Sequence, residues 1–412
     1  MKKILLGTTT LAASLFAGAA FADTPKVTVG GYANFEVGMV NDDLDDLSTK
    51  AGSAAQRTQA FRNDTIVAFK IDGKSDAGLG YGGEINILAD TSADVQGRGV
   101  NASKTMVYLE NMWGRVELGS NVGAENTMKV DAATIARATG GINGDWTYFA
   151  NASDQFLAQG ALPLQYGAIG SNVANGANTT NYLGQRTEEN LNKVTYYTPR
   201  FAGFQLGVSY LPDQSNRGQG TNGQAVPGPN RSSDNAGLSQ NIFTGGLSYD
   251  NKFGDVGVAL AATGVHGNSQ LSQYEDLAAW NVGGKLSYMG FSLAGGYGDW
   301  GRSNTLKSVN SKNTDYWNVG AAYEYGPFGA SVTYLNSTFD CGTAAGGAGT
   351  GPTGDCQVAG KHDFDSLSVG ADYKLAPGLT PYAEVTWYDM NPNGTTRDNS
   401  GYVGIVGTQL NF

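Results

Sequence analysis

The sequence predicts an all-β fold, a transmembrane antiparallel β-barrel of about 16 strands. Three observations predict it. The chain ends on an alternating apolar strand, short and long connections alternate along its second half, and charged side chains are confined to one of the two alternate sets within each strand-like segment. Closed barrels and helices are the structures that can cross a bilayer with every backbone polar group paired.

The last segment, residues 402–412, places Tyr402, Val406, Leu410 and Phe412 on one face. An apolar edge strand in water would promote aggregation. The same strand is stable if it pairs with the first strand of a closed barrel and faces lipid. The resemblance of this end to the C-terminal strand of outer-membrane barrels implies that Leu410 and Phe412 are also the recognition signal for the barrel assembly machinery.

The N-terminus has the features of an export signal. Lys2 and Lys3 precede an uncharged stretch, residues 4–19, which is followed by the small-x-small sequence Ala20-Phe21-Ala22. We expect residues 1–22 to be a signal peptide and residues 23–412 the exported protein. The alternative is an uncleaved anchor, which is disfavoured because the run is short for a spanning helix and contains three threonines.

Composition alone leaves two classes open. With 60 Gly, 21 Tyr, 16 Phe and a mean hydropathy of −0.28, the chain of 412 residues fits a soluble β protein or a barrel whose polar interior offsets an apolar exterior. Without Lys2 and Lys3, 24 basic side chains face 37 acidic ones, a formal charge of −13. Nucleic acid is therefore excluded as an expected partner.

The connections favour the barrel. Joints such as Met289-Gly290 and Gly326-Pro327 are very short, whereas residues 300–314 and 338–363 form long polar loops. Outer-membrane barrels have short periplasmic turns and long extracellular loops. The predicted strands cover residues 26–38, 62–72, 79–90, 103–110, 113–119, 190–198, 203–212, 239–250, 254–265, 277–288, 290–300, 314–326, 328–338, 364–375, 379–390 and 402–412.

Alternation assigns the two faces. Within residues 280–288, Trp280, Val282, Leu286 and Tyr288 share one set, and Lys285 lies on the other. A lipid-facing Lys or Arg at the bilayer midplane costs about 2 to 4 kcal/mol, so the charged set faces water inside the barrel. The aromatic residues should form two belts at the membrane surfaces. The outer belt would hold Trp280, Trp317, Trp387, Tyr334 and Tyr402, and the inner belt Tyr249, Tyr288, Tyr325, Tyr373, Phe291, Phe328 and Phe412.

About seventy residues, 120–189, separate the fifth predicted strand from the sixth, and residues 124–138 have weak helical character. So long a connection is expected to be functional or disordered. The signal peptide, the sixteen strands, the paired segments within residues 106–119 and the terminal Phe412 together resemble Gram-negative general porins. The Gly-rich porins of alphaproteobacteria are the most similar group.

The resemblance implies that residues 120–189 fold into the lumen as a constriction loop. Their acidic residues would then be Glu125, Asp131, Asp145 and Asp154, with Lys129 and Arg137 as local counter-charges. Alternation turns a basic set toward the same lumen, namely Arg62, Lys70, Lys104, Arg115 and Lys193. An acidic loop opposite a basic wall would create a transverse field, although each residue could instead be ordinary solvated lining.

The implied function is passive diffusion of small hydrophilic solutes and ions through the outer membrane of a Gram-negative cell. The resemblance implies a homotrimer, and the implied partners are outer-membrane lipid and lipopolysaccharide. No cofactor, metal ion or catalytic residue is expected. We expect only weak ion selectivity, tipped toward cations.

The two cysteines, Cys341 and Cys356, both fall in the loop at 338–363. In an oxidising compartment they are expected to form a disulfide. Closing about sixteen residues would stabilise the fold by about 3 kcal/mol in the chain-entropy model. A metal site with His362 is the less favoured alternative.

Two other functions stay open at this point. A substrate-selective channel would need an aromatic ladder in the lumen, and the candidates Tyr32, Tyr316, Tyr382 and Tyr388 are dispersed along the sequence. A barrel hydrolase is more remote. The only histidines, His266 and His362, are both predicted in loops without a serine and carboxylate beside them.

Overall fold

Sixteen strands form one closed antiparallel barrel in the computed structural model of the chain. Each strand pairs with its sequence neighbours, and the first strand pairs with the last. The structure describes residues 24–43, 57–89, 101–150, 191–213, 239–303, 307–309, 313–341, 360–391 and 399–412. Among these residues, no helix is long and apolar enough to span a bilayer.

The strands are β1 Lys26–Asp42, β2 Gln59–Lys74, β3 Gly80–Leu88, β4 Asn101–Asn111, β5 Gly114–Asn121, β6 Leu191–Tyr197, β7 Phe204–Asp213, β8 Ser239–Phe253, β9 Val256–Ser269, β10 Leu277–Tyr288, β11 Phe291–Gly301, β12 Thr314–Tyr325, β13 Phe328–Cys341, β14 Gly360–Tyr373, β15 Leu379–Asn391 and β16 Asn399–Asn411. The predicted number of strands and the predicted closure are confirmed. Several strands extend beyond the predicted bounds on the long-loop side, because pairing continues there past the last apolar residue.

Connections at one end of the barrel are short. The β10–β11 turn consists of Met289 and Gly290 alone, and both have positive φ, 46° and 86°. This is the backbone of a two-residue turn whose twist matches that of paired strands. The connections that leave the other end include the long ones, such as the segment between β5 and β6.

The two faces of each strand follow the predicted alternation. On β10, Trp280, Val282, Leu286 and Tyr288 are exposed on the outside of the barrel, with Leu286 at 51%. Asn281, on the other set, is buried. A continuous band of exposed apolar side chains around a closed sheet is what a lipid-facing surface requires. We call the opposite set the inner face.

Aromatic side chains meet across neighbouring strands at both ends of this band. At one end Trp280 lies 5.6 Å from Tyr297 and Trp317 lies 5.1 Å from Tyr334, between ring centroids. At the short-turn end, ring pairs join Phe291 to Tyr323, Phe328 to Tyr373 and Phe204 to Tyr249. Side chains with an apolar body and a polar tip suit both membrane surfaces.

The barrel closes at the seam between β1 and β16. Their register pairs Tyr32 with Asn411 and Val37 with Val406. Beyond the last strand residue, Phe412 exchanges two backbone hydrogen bonds with Gly31, of 3.0 and 3.1 Å. The terminal residue is therefore part of the closing ladder, and its exposed ring lies on the outside.

Some of the sequence predictions agree with the structure only in part. His266 lies in β9 and His362 in β14, so the expectation that both histidines lie in loops is wrong, because these strands continue past the membrane. Cys341 ends β13 and Gly360 begins β14, so both ends of the loop predicted at 338–363 belong to strands. Cys356 and the signal peptide, residues 1–22, lie outside the described residues, so the disulfide and the cleavage site stay predictions.

Arginine at Leu286 should lower the free energy of unfolding by about 2 to 4 kcal/mol, because it would place a charge on the lipid face near the membrane interior. Arginine at the adjacent Ser287, on the inner face, is the matched control and should fold normally. Folding into detergent micelles or vesicles, followed by the mobility difference between heated and unheated samples, measures this. Equal loss of folding in both variants would mean that the faces are assigned wrongly.

Candidate functional site

The candidate site is built on residues 122–150, the described part of the connection between β5 and β6, which we call the β5–β6 segment. It contains the short helix α1, Ala124–Met128, and three 3₁₀ helices, Ala132–Ile135, Gly141–Asn143 and Asp145–Tyr148. The weak helical pattern predicted at 124–138 is thus divided into two turns. They are separated near Asp131, whose side chain accepts a hydrogen bond from the N–H of Ala133.

Side chains of the inner face satisfy backbone N–H groups of this segment. Short helices leave most of their N–H groups without an internal partner, and a buried N–H without a partner is costly. The N–H groups of the segment are bonded at 2.8 to 3.0 Å as follows: Ala124 to Ser209 Oγ, Ala132 to Asn318 Oδ1, Arg137 to Ser331 Oγ, Ile142 to Thr333 Oγ1 and Gly141 to Glu384 Oε2.

Glycines of the inner face provide the space for these contacts. A Cβ at Gly283 would overlap the carbonyl oxygen of Val130, and one at Gly320 would lie 3.2 Å from the Cβ of Ala132. A Cβ added at several other strand glycines would also come close to a residue of the segment. These pairs are Gly207 and Gly246 with Met128, Gly296 with Asp131, Gly370 with Ala138, and Gly38 with Phe149. The segment therefore lies along a track of strand glycines.

Arg62 of β2 is the centre of a charge cluster at the far end of the segment. Its guanidinium lies 3.3 Å from Glu36, 3.2 Å from Asp64 and 3.3 Å from Asp145. It also stacks on the Tyr148 ring at 3.9 Å. The predicted wall residue Arg62 and the predicted loop residue Asp145 are thus brought together. Glu36, which is fully buried, was not among the predicted site residues.

The acidity of Asp145 is strongly perturbed. Burial, then the hydrogen bond to Glu36 and the charge of that carboxylate, raise the pKa of Asp145 to about 8, against the lowering effect of Arg62. Two carboxyl groups that share a hydrogen bond in a partly desolvated place do not both ionise easily. Asp145 is therefore expected to be largely protonated at neutral pH.

Two of the other predicted basic residues, Lys104 and Arg115, form ion pairs with carboxylates of the inner face itself. Lys104 binds Glu84 at 3.0 Å. Arg115 binds Glu110 at 2.9 Å and Glu117 at 2.7 Å, and it stacks on the Tyr108 ring at 3.8 Å.

The remaining two predicted basic residues occupy different settings. Lys193 is buried and donates to the backbone oxygen of Asn121. Lys70 pairs in register with Glu84, below Arg62 on the same strand.

The four predicted acidic loop residues lie in different settings. Glu125 is buried in α1 at 1% exposure. Asp131 is also buried, with its side chain 3.0 Å from Lys129. Asp145 reaches the opposite side, as described above. Asp154 lies outside the described residues. Asp145 is paired with the predicted wall cation Arg62.

The expected separation of an acidic loop from a basic wall is too simple. Arg137 of the segment binds Glu324 at 2.7 Å and Asp372 at 2.8 Å, so one loop cation meets two carboxylates of the strands. Glu384 accepts from Thr139 and from the N–H of Gly141. Glu324, Asp372 and Glu384 belong to strands β12, β14 and β15. Only the position of the segment could assign their partners, because those contacts span more than 180 residues.

A cavity of about 1010 Å³ lies toward the short-turn end of the barrel. Strands β2, β4 and β5 line one side of it through Asp72, Tyr108 and Arg115, and the segment lines the other through Met128 and Lys129. Charged groups of both signs border this space. These charged groups suit hydrated polar solutes.

Comparison with known proteins gives a consistent result. A family model described as Gram-negative porin matches residues 8–393. An uncharacterized protein of Rickettsia bellii is 26% identical over 470 aligned residues, covering the whole of both chains. Another, from Rickettsia prowazekii, is 27% identical over 477 aligned residues, again with full coverage of both.

Solved structures share the fold. An anion-selective porin from Comamonas acidovorans superimposes with a TM-score of 0.61 at 15% identity, covering 94% of this chain and all of the other. A mutant of Rh. blastica porin gives 0.53 at 14% identity, with coverage of 94% and 100%. OmpT of Vibrio cholerae, in its trimer form, gives 0.55 at 11% identity, with coverage of 95% and 100%.

Replacing Gly283 by Ala should displace the segment from its track, because the new Cβ would overlap the backbone of Val130. We expect an altered single-channel conductance in a barrel that still folds. Gly404→Ala is the matched control, since a Cβ there meets nothing within 4 Å. Identical conductance in the two variants would contradict the glycine track.

Proposed function

The chain belongs to the Gram-negative porin family and forms an outer-membrane diffusion channel, and we propose that its β5–β6 segment lies in the lumen as a constriction with weak cation selectivity. The single observation that carries this proposal is the set of contacts between the segment and the inner face. Backbone N–H groups, glycine contacts and ion pairs all join the segment to side chains of the strands that do not face lipid.

The path for solutes is proposed to run between the segment and strands β2 to β5. The cavity lined by Tyr108, Arg115 and Lys129 supports this path. Passage there depends on the size and charge of the solute, and no covalent bond is made or broken. Catalysis is therefore not part of the proposal.

The sign of the selectivity follows from the charges near the narrow section. Distant loop charges are screened beyond about 8 Å at physiological ionic strength, so the net charge of the chain is a poor guide. Carboxyl groups outnumber cations among the groups described above, even with Asp145 protonated. They are Glu36, Asp64, Glu84, Glu110, Glu117, Glu125, Asp131, Asp145, Glu324, Asp372 and Glu384 against Arg62, Lys70, Lys104, Arg115, Lys129, Arg137 and Lys193. Because most of these groups are paired with a group of opposite charge, the preference for cations is weak.

No observation favours a substrate-selective channel. The four inner-face tyrosines do not form an exposed ladder. Tyr32 donates to Asp64, Tyr382 to Asn34 and Tyr388 to Asp42. Tyr316 and Tyr388 are only 2% and 3% exposed.

A homotrimer is proposed as the assembly. Its support is the similarity in fold to OmpT of Vibrio cholerae, which is described in a trimer form. Lipopolysaccharide, outer-membrane lipid and the assembly machinery are the proposed partners of the lipid face and of the C-terminal strand. Crosslinking in native membranes would distinguish a trimer from a monomer.

The proposed function is tested by single-channel recording in planar bilayers. Under a salt gradient, the zero-current potential should have the small displacement expected for a weak preference for cations. Uncharged sugars should enter proteoliposomes at rates that fall with their size. A zero-current potential on the anion side, or sugar entry independent of size, would contradict the proposal.

The cation preference should also increase as the pH rises through about 8. Below that pH the Asp145 carboxyl group holds a proton, and above it the group carries a negative charge. The zero-current potential measured across this range should therefore shift toward cations, and the shift should be absent in Asp145→Asn. The titratable and charged groups that interact with Asp145 are Tyr32 and Glu36 on β1, Arg62 and Asp64 on β2, and Tyr382 on β15.

A shift of the same size in Asp145→Asn as in the unmodified protein would assign the titration to another group. Glu36→Gln is the second arm of the experiment, because it removes the other carboxyl of the pair. It should abolish the shift as well.

A further inference from the structure

Trp146 is the most deeply inserted side chain of the β5–β6 segment. It is 1% exposed, and its ring is stacked nearly parallel to two rings of the inner face. The Phe364 ring lies at 6.1 Å with an interplanar angle of 5°, and the Tyr388 ring lies at 5.5 Å with an angle of 21°. The indole N–H donates to the carbonyl oxygen of Gly141 at 3.1 Å. Both the apolar ring and its polar atom therefore have partners.

The receiving pocket belongs to the strands. Phe364 is on β14, and Tyr388 and Met390 are on β15; all three are buried. The hydroxyl of Tyr388 donates to Asp42 on β1 at 2.6 Å, which fixes the orientation of its ring. Ile142 of the segment is also buried in the same cluster. The pocket is thus formed by side chains of β14 and β15, with Tyr388 hydrogen-bonded to β1.

Insertion of Trp146 determines where its chain neighbours lie. It belongs to the 3₁₀ helix Asp145–Tyr148, and its carbonyl oxygen accepts from the N–H groups of Phe149 and Ala150. Because these residues form one compact turn, fixing the indole fixes Asp145 and Tyr148 as well. These are the two residues that contact Arg62, by an ion pair at 3.3 Å and by ring stacking at 3.9 Å.

We propose that Trp146 is a positioning residue of the channel: its insertion between Phe364 and Tyr388 holds the far end of the segment, and so sets the width and the charge of the narrow section. This inference rests on the proposed function of the segment as the constriction. Trp146 acts through Asp145 and Tyr148 and does not itself line the solute path, since it is buried.

A tryptophan buried in a cluster could serve stability alone. If Trp146 served stability alone, its removal would lower the heat resistance of the folded barrel without changing which solutes pass through it. If Trp146 is a positioning residue, its removal alters permeation in a barrel that still folds. Aromatic stacking contributes an amount equivalent to about a 2- to 10-fold change in population for each pair, so loss of both pairs should populate displaced segments measurably.

The test compares Trp146→Ala, Trp146→Phe and Trp280→Ala in the full-length protein. Trp280 is the matched control, because it is a tryptophan of the same barrel on the lipid face. Heat-dependent gel mobility reports folding in each variant. Entry of sugars of increasing size into proteoliposomes reports the width, and the zero-current potential above pH 8 reports the charge.

Trp146→Ala should raise the relative entry of large sugars by at least about 2-fold, because the loss of both stacked pairs increases the population of displaced segments. Trp146→Phe retains a stacking ring and should stay near the unmodified protein, as should Trp280→Ala. Asp145→Asn and Trp146→Ala should shift the zero-current potential in the same direction, and the double variant should shift it no further than the larger single shift.

Unchanged sugar entry and zero-current potential in Trp146→Ala, with a shift in Asp145→Asn, would overturn the positioning role and leave the constriction in place. Fully additive shifts in the double variant would overturn it too. No effect of either substitution would contradict both the positioning role and the proposed function. If Trp146→Ala does not fold, Phe364→Leu replaces it: this variant keeps an apolar side chain in the pocket and removes one stacking ring, and unchanged sugar entry there would overturn the proposal.

Discussion

The whole structure depends on the pairing of backbone polar groups where water is excluded. In hydrocarbon, an unpaired N–H or C=O costs several kcal/mol, so a sheet that crosses a bilayer has to close on itself. Closure joins β1 to β16 and makes Phe412 a member of the hydrogen-bonded ladder. The same closure gives every strand one lipid face and one inner face, and this explains the confinement of charges to one alternate set.

The requirement also governs the β5–β6 segment. Its helices are too short to satisfy their own N–H groups, so Ser, Thr, Asn and Glu side chains of the strands accept from them. These acceptors fix the segment at several points along its length. Small residues of the strands, such as Gly283 and Gly320, let it approach closely enough for those bonds to form. Polar side chains and glycines on the inner face therefore act together.

Charge on the inner face is organised as a network. Arg62 meets carboxylates from β1, β2 and the segment, while Arg137 reaches from the segment to β12 and β14. An outer-membrane channel built in this way presents both signs of charge to a passing solute. On the proposed function, its selectivity would depend on small excesses of one charge sign and on protonation of single carboxyl groups such as Asp145.

The sequence by itself determined the barrel, its sixteen strands and the assignment of Leu286 to lipid and Lys285 to water, because period-two alternation is local and each strand repeats it. It also identified Arg62 and Asp145 as site residues, from alternation and from family resemblance respectively. Only the tertiary structure decided that these two meet, that Glu36 joins them, and that Arg137 binds Glu324 and Asp372. Trp146 could not be singled out in advance, since its partners Phe364 and Tyr388 lie more than 200 residues away. Contacts of that kind depend on the path of an irregular segment, and no local periodicity encodes that path.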